Sequence, residues 1–374
     1  MKKIFIALVC MSIAVIGMAQ WQPAGDKIKT RWTSQVNVQN VLPEYPRPIL
    51  QRSEWQNLNG LWDYAILDRG KVEPSQYDGK ILVPFCVESS LSGVQKSVSE
   101  KQELWYHREF SVPKAWNGKH VMLHFGAVDW EADVFVNDVL VGSHRGGYAG
   151  FSFDITPFLN AKGMQKLVVR VWDPTDAGYQ PIGKQTQNPR SIWYTAVTGI
   201  WQTVWMEPVE ENHINHINAV ADIDNGTLTI CAGVACERSR DIVEATVLDG
   251  TRVVGSAKGV AGGKLRIAVP DAKLWSPENP YLYNLKLRLL RGGKPIDEVM
   301  SYAAMRTIGY ARDENGVMRM QLNGKNYFHY GPLDQGWFPD GLYTAPTDEA
   351  MLYDIKKTKE LGFNMIRKHV KVEP

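Results

Sequence analysis

Apolar and polar residues alternate along much of the chain. In HVMLHF, Val121, Leu123 and Phe125 share one face while His120, Met122 and His124 share the other, the period-two pattern of a half-buried strand. LWDYAIL (61–67), ELWYHREFSVP (103–113), FSFDITPFL (151–159), KLVVRVWD (166–173) and GIWQTVWMEP (199–208) read the same way. Val134 and Val136 run into Asn137-Asp138, which tolerates positive φ, and Val139 and Val141 lead out. That is a β-hairpin signature. Many short strands without a long helix predict a sandwich or jelly roll. Ahead of them, Gln20 to about Ile49 shows no periodicity and carries Pro43, Pro46 and Pro48, so an extended arm on a domain surface is expected.

A second series of strands begins at HINHINAVADIDNGTLTICAGVACE, with a hairpin signal at Asn225-Gly226, and runs to EVMSYAAMRTI. Turn signals every 8 to 12 residues fit an immunoglobulin-like sandwich of about 95 residues. Cys231 and Cys236 are too close in sequence to bridge its sheets and read as free or locally paired.

The period then changes. A hairpin is expected at Asn323-Gly324 and a strand from Asn326 to Gly331. Thr347 can cap a helix with Asp348 and Glu349 in its first turn, Lys356, Lys357 and Lys359 toward its end, and Gly362 as its stop. Met351, Leu352, Ile355 and Leu361 form its apolar stripe, and FNMIR is the next strand. A strand, helix, strand order is the unit of parallel barrels.

Lys2 and Lys3 precede the apolar stretch Ile4 to Ile16, which closes on Gly17 and Ala19. The stretch is shorter than the roughly 20 residues a membrane span needs, so residues 1–19 read as an export signal, and a periplasmic or secreted protein without a membrane anchor is expected. Removing it takes two of 42 basic residues and leaves 40 against 40 acidic ones. This balance gives no electrostatic case for a nucleic-acid partner. Cys86, Cys231 and Cys236 are too few for a disulfide scaffold. The 13 Trp and 15 Tyr suit both sandwich cores and sugar-stacking surfaces. His107, His120, His124 and His144 lie on strands without metal-type spacing, and no dinucleotide or phosphate motif appears. No cofactor is expected.

NLNGLWDY, LWYHREFSVP, HFGAVDWEADVFVNDVLVGSHRGGYAGFSFDIT, TGIWQTVWMEP, LWSPENPYLYNLKLRL, LNGKNYFHYG and PTDEAMLYDIKKTKELGFNMIRKH together resemble family 2 glycoside hydrolases, in the order that family has them. The resemblance implies a mainly β chain: a jelly-roll sugar-binding domain at 20–209, an immunoglobulin-like β-sandwich at 210–305, and at 306–374 the first βαβ part of a (β/α)₈ TIM barrel. It also implies hydrolysis of β-linked sugars with retention, which needs two carboxyl groups about 5 to 5.5 Å apart. In such enzymes the acid/base Glu follows an Asn at the fourth barrel strand and the nucleophile ends the seventh. No Asn-Glu pair occurs here, so both glutamates are expected beyond Pro374.

Barrel sites form at the C-terminal strand ends. That points to Asp334 and Gln335 after the first strand and Arg367 and His369 after the second. Asp334 can accept from sugar hydroxyls and Arg367 or His369 can donate; equally, Asp334 can cap a turn and Arg367 can pair with a neighbouring carboxylate. Trp193 and Tyr194, after a proline-containing loop, are candidates for a pocket wall, and Arg145 and Tyr148 are a second place that could touch sugar. Trp201 and Trp205 read as core. The partner expected is carbohydrate. The alternative is a non-catalytic secreted carbohydrate-binding β-sandwich protein.

Overall fold

The computed structural model describes residues 21–236 and 241–373. The predicted export signal lies outside them. Among the described residues no helix is long and apolar enough to cross a membrane.

The first unit is a sandwich of two antiparallel sheets. One has six strands in the order Gly79–Val83, Gly60–Asp68, Gln102–Phe110, Gln165–Trp172, Glu131–Val136 and Val139–Arg145. The other orders Gln56–Asn57, Val204–Val209, His120–Phe125 and Phe151–Asp154. Period-two alternation sends Trp62 and Tyr64, Leu104 and Tyr106, Leu167 and Val169 inward to meet Val121, Leu123 and Phe125, which is how two sheets share one core. Asn137 and Asp138 both take positive φ, at 49° and 69°, as the two-residue hairpin turn requires.

The four strand histidines go to local partners. His107 meets Asp63 at 3.0 Å, His120 meets Asp154 at 2.7 Å, and His124 Nδ1 lies 2.5 Å from Ser152 Oγ. His144 stacks on Phe151.

Among the described residues the second unit has seven strands in two sheets. Ile214–Asp222, Thr227–Val234 and Lys264–Ala268 face a sheet ordered Arg252–Val260, Ile242–Asp249, Tyr283–Arg291 and Lys294–Ala303. Ile230, Ala245, Leu285, Leu287 and Leu289 are fully enclosed between them. Cys86, Cys231 and Cys236 are free thiols.

The arm joins these parts. Arg52, 7% exposed, donates from Nη2 to Ile214 O at 2.7 Å and to Asp297 at 3.0 Å. Five residues earlier, Arg47 reaches Glu207 at 2.5 Å, where Tyr45 OH also donates at 2.7 Å and His124 Nε2 lies at 3.2 Å. A carboxylate that is 1% exposed is thereby bonded from the arm and from the neighbouring strand. The arm also extends further along the molecule: Thr30 N, Thr30 Oγ1 and Thr33 Oγ1 all donate to Asp340 Oδ2, at 2.9, 2.6 and 2.6 Å.

The C-terminal segment differs from expectation in its strands. Of the strand expected over Asn326 to Gly331 only Asn326 pairs, as the end of Lys325–Asn326 against Met318–Leu322; the parallel ladder falls instead on Leu333–Asp334, paired with Arg367–Lys368 rather than with the whole of FNMIR. The reason lies in Asn364. Its side chain accepts from Tyr330 N at 2.9 Å and donates to Phe328 O at 2.7 Å, taking over bonds that a ladder would make. The helix forms at Asp348–Glu360, with Thr347 Oγ1 accepting from Ala350 N at 3.3 Å. Only Ala350 is buried on it, while Met351, Leu352, Ile355 and Leu361 are exposed.

This segment is held against the sandwich by a small separate core of Cys86, Ala127, Val197, Trp201, Leu342 and Tyr343. Thr344 Oγ1 donates to Trp201 O at 2.6 Å, and Tyr148 OH meets Tyr343 OH at 3.1 Å. Gly183, at φ +58°, fits the junction because a Cβ there would lie 2.6 Å from Val370 O.

Candidate functional site

A cleft of about 740 Å³ lies on the immunoglobulin-like unit between Ile217–Ala221 and Tyr302–Ile308, and no predicted site residue lines it. A cleft of about 650 Å³ does hold predicted residues: Tyr194 forms its wall together with Trp337, and Asp334 and Gln335 line its floor with Asp354 and Lys357 of the helix. The Tyr194 and Trp337 rings sit 4.5 Å apart, and Trp337 in turn packs 4.5 Å from Tyr343. An aromatic wall beside amide, ammonium and carboxylate groups suits a ligand with an apolar face and a hydroxylated edge.

The parallel pair sorts the strand-end residues. Asp334 and Arg367 lie in the strands rather than after them, in the register Leu333 to Arg367 and Asp334 to Lys368. Alternation therefore puts Asp334 and Lys368 on one face, and Gln335, Arg367 and His369 on the other. Gln335 Nε2 lies 3.4 Å from His369 Nδ1. Arg367 is exposed, with no carboxylate partner among the described residues. Trp193, Arg367 and His369 lie outside the lining of the 650 Å³ cleft, and Trp193 is 42% exposed.

Asp334 is occupied locally. Its carboxylate accepts from Lys368 Nζ at 2.7 Å and from Gly336 N at 2.8 Å. Burial pushes its pKa up, but the Lys368 bond, the Gly336 N–H and nearby positive charge outweigh this and hold it below the usual carboxylate range. Asp354 moves the other way, raised by burial and then by the Asp334 charge. Opposed shifts on neighbouring carboxyls can mark an acid and a nucleophile. Here, however, the lowered partner is bonded to a lysine and a turn amide, so it is not free to attack.

Lys371, 8% exposed, backs the site. It donates to Tyr343 O at 2.6 Å, pairs with Glu373 at 2.7 Å and sits 5.3 Å from the Trp201 ring. Burial lowers its pKa, against the pull of Glu373. Glu373 also reaches Lys368 at 3.4 Å, so charges alternate from Asp334 through Lys368 and Glu373 to Lys371. Arg145 pairs with Glu131 and Tyr148 is engaged with Tyr343, so neither lines this cleft.

Sequence reasoning missed Trp337, Asp354, Lys357 and Lys371. Trp337 had a usable signal, since it follows Gln335-Gly336 directly; the helix residues had none, because their role depends on how the helix seats.

Two family models match consecutive stretches: the sugar binding domain of glycosyl hydrolases family 2 over residues 75–206, and a second domain of the same family over residues 212–306. A β-galactosidase of Thermoanaerobacter pseudethanolicus is 27% identical over 277 residues, covering 70% of this chain and 36% of that protein. A β-glucuronidase of Paenibacillus borealis is 24% identical, covering 77% of this chain and 50% of that protein. Among solved structures, a β-glycosidase from Bacteroides vulgatus superposes with a TM-score of 0.67 at 23% identity, over 84% of this chain and 41% of that one. A β-glucuronidase from Ruminococcus gnavus gives 0.68 at 19%, over 88% and 57%. The chain thus spans a quarter to a half of the length of the curated relatives it matches. With both domain models matched in order, this chain belongs to glycoside hydrolase family 2.

Proposed function

We propose that the chain forms the sugar-engaging part of a retaining β-glycosidase. In this reading residues 20–209 and 210–305 are the jelly-roll and immunoglobulin-like domains, and residues 306–374 begin the catalytic (β/α)₈ barrel. The observation that carries the reading is the aromatic-walled cleft where Tyr194 of the sandwich meets Trp337 beside the parallel Leu333–Asp334 and Arg367–Lys368 strands. Gln335, Arg367 and His369 supply hydrogen bonds to sugar hydroxyls on one strand face, Tyr194 and Trp193 supply stacking surface, and Asp334 holds the turn that presents Gln335. The substrate is a β-linked carbohydrate and the protein is exported.

Retaining hydrolysis needs a general acid and a nucleophile about 5 to 5.5 Å apart. Glu131, Glu373 and Asp334 are each engaged by a cation, and the sequence holds no Asn-Glu pair of the kind the family resemblance implies for the acid/base; on that resemblance the two catalytic glutamates are proposed to lie outside residues 1–374. A stand-alone double sandwich would leave the capped helix and its parallel strand pair without a role. The test is a panel of aryl β-glycosides offered to the purified chain. The expected result is no turnover; turnover abolished by changing one carboxylate within residues 1–374 would overturn the assignment.

A further inference from the structure

Both aromatic walls of the 650 Å³ cleft meet one loop, residues 183–198. The middle of this loop, Asn188 to Trp193, is exposed, and Tyr194 is the first half-buried residue on its return. The outgoing limb holds Tyr194 there: Gln185–Thr186 pairs in parallel with Tyr194–Thr195, and Tyr194 N donates to Lys184 O at 2.8 Å. A ladder of two residues is marginal support by itself. The start of the loop abuts the other wall. A Cβ at Gly183 would lie 3.1 Å from Tyr148 OH and 3.2 Å from Tyr343 OH, and Tyr343 carries Trp337 at 4.5 Å.

Gln185 ties the loop to the sandwich. It is 2% exposed; its Oε1 accepts from Val197 N at 2.7 Å, and its Nε2 lies 2.9 Å from Asp129 Oδ2. A backbone N–H can only donate, so the amide oxygen faces Val197 and the nitrogen donates to Asp129. Asp129 is a firm anchor. It is 2% exposed, it pairs in a ladder with Gly199, and its carboxyl fills the space that a side chain at Gly147 would need. Among the described residues no cation pairs with it; the titratable groups around it are the Asp173 and Glu88 carboxyls and the Tyr148 and Tyr343 hydroxyls. Thr186 and Gln187 fasten the outgoing limb further along, to Asp176 at 2.5 Å and to Val98 O at 2.8 Å. Glu88 takes Thr198 N at 2.9 Å. Among the described residues, the Gln185 amide makes the side-chain bond that reaches the returning limb between Tyr194 and Thr198.

We propose that Gln185 is the positioning residue of this cleft: by bonding the outgoing limb, the returning limb and the sandwich at once, it sets where Tyr194 stands relative to Trp337. It touches no ligand itself, and the inference deepens the carbohydrate reading above and rests on it. The amide is needed because it offers Val197 N an acceptor and Asp129 a donor together. In Gln185→Glu the acceptor is kept, while the donor becomes a second carboxyl facing Asp129. Two such carboxyls stay bonded only while they share a proton, so this variant holds the wall in acid and releases it in alkali. A role in packing alone would give no such dependence.

The experiment follows the full chain, labelled with 5-fluorotryptophan, by fluorine NMR. Trp337 is assigned from Trp337→Phe, and Trp62, fully enclosed in the sandwich core, is the internal control. Gln185→Ala should displace the Trp337 resonance, leave that of Trp62 in place, and speed exchange of the Tyr194 N–H at least tenfold, although its own acceptor, Lys184 O, is untouched. Gln185→Glu should match the parent at pH 5 and the alanine variant at pH 9, and it carries the test should the alanine variant fold poorly. Methyl β-D-glucopyranoside or methyl β-D-galactopyranoside should bind Gln185→Ala at least fivefold more weakly than the parent. An unmoved Trp337 resonance with unchanged Tyr194 exchange in Gln185→Ala, or a Gln185→Glu variant that behaves alike at pH 5 and pH 9, would overturn the positioning role. Both are read without ligand. A wall that responds as expected in a chain that binds neither glycoside would support the positioning role and refute the carbohydrate reading alone.

Discussion

Glu207 offers a test of how the parts are joined. Its side chain is 1% exposed, yet it stays ionised because Arg47, Tyr45 and His124 bond it. Burial alone would raise its pKa; the His124 bond, the Arg47 charge and the Tyr45 hydroxyl outweigh burial and hold it at about 2, against a usual value near 4.5. A lowered folded pKa means that the unfolded chain takes up the proton first as pH falls. The stabilisation is therefore complete above pH ~4.5 and is lost as pH drops toward ~2. At about 1.36 kcal/mol per pH unit, holding the carboxyl at about 2 rather than near 4.5 is worth about 3 kcal/mol. Glu207→Gln removes this contribution while keeping the side chain's shape. Urea unfolding followed by tryptophan fluorescence, run from pH 2.5 to pH 7, should show wild type exceeding the variant by about 3 kcal/mol at pH 7 and by less than about 1 kcal/mol at the acid end. A difference that stays below about 0.5 kcal/mol throughout, or one that is independent of pH, would refute the reasoning.

Three further outcomes are expected. Asp340→Ala strips three donors of their shared acceptor and should cost about 2 to 3 kcal/mol, with the 21–50 arm cleaved earlier in limited proteolysis; an unchanged cleavage pattern would contradict it. Glu88 has the opposite sign from Glu207: its folded pKa of about 8 makes it a penalty that is absent below pH ~4.5 and grows as pH rises toward ~8. Glu88→Gln should thus gain stability over wild type between those limits, by up to about 5 kcal/mol, and a loss at pH 8 would count against the burial argument. Gly183→Ala should release the 330–373 segment by forcing a Cβ toward Val370 O, which hydrogen exchange of that segment would detect; unchanged protection would mean the junction can yield.

The sandwiches were legible because each strand carries its own period-two pattern and each tight turn its own residues, as at Asn137-Asp138. The helix was legible for the same local reason, through the Thr347 cap. The strands beside it were not, because the FHYG backbone bonds to the Asn364 side chain, and hydropathy does not report such bonds. The site was legible only in part. Tyr194, Asp334 and Gln335 share a cleft, but the seating of Trp337 against Tyr194 and the burial of Glu88 depend on contacts between residues more than a hundred positions apart. No local pattern encodes those. Nor does the pattern distinguish a carboxylate free for sugar from one already bonded, which is where Asp334 sits, with Lys368 and Gly336 as its partners.

The central claim is that the cleft walled by Tyr194 and Trp337, with Gln335 in its lining and Arg367 and His369 on the same strand face as Gln335, engages β-linked sugar. Crystals of the chain soaked with a β-linked disaccharide test this most directly. The expected result is a sugar ring against Tyr194 with hydroxyls within hydrogen-bond reach of Gln335 and of Arg367 or His369. A disaccharide seated instead only on the immunoglobulin-like unit, or a fully soaked crystal with no sugar beside Tyr194, would contradict it.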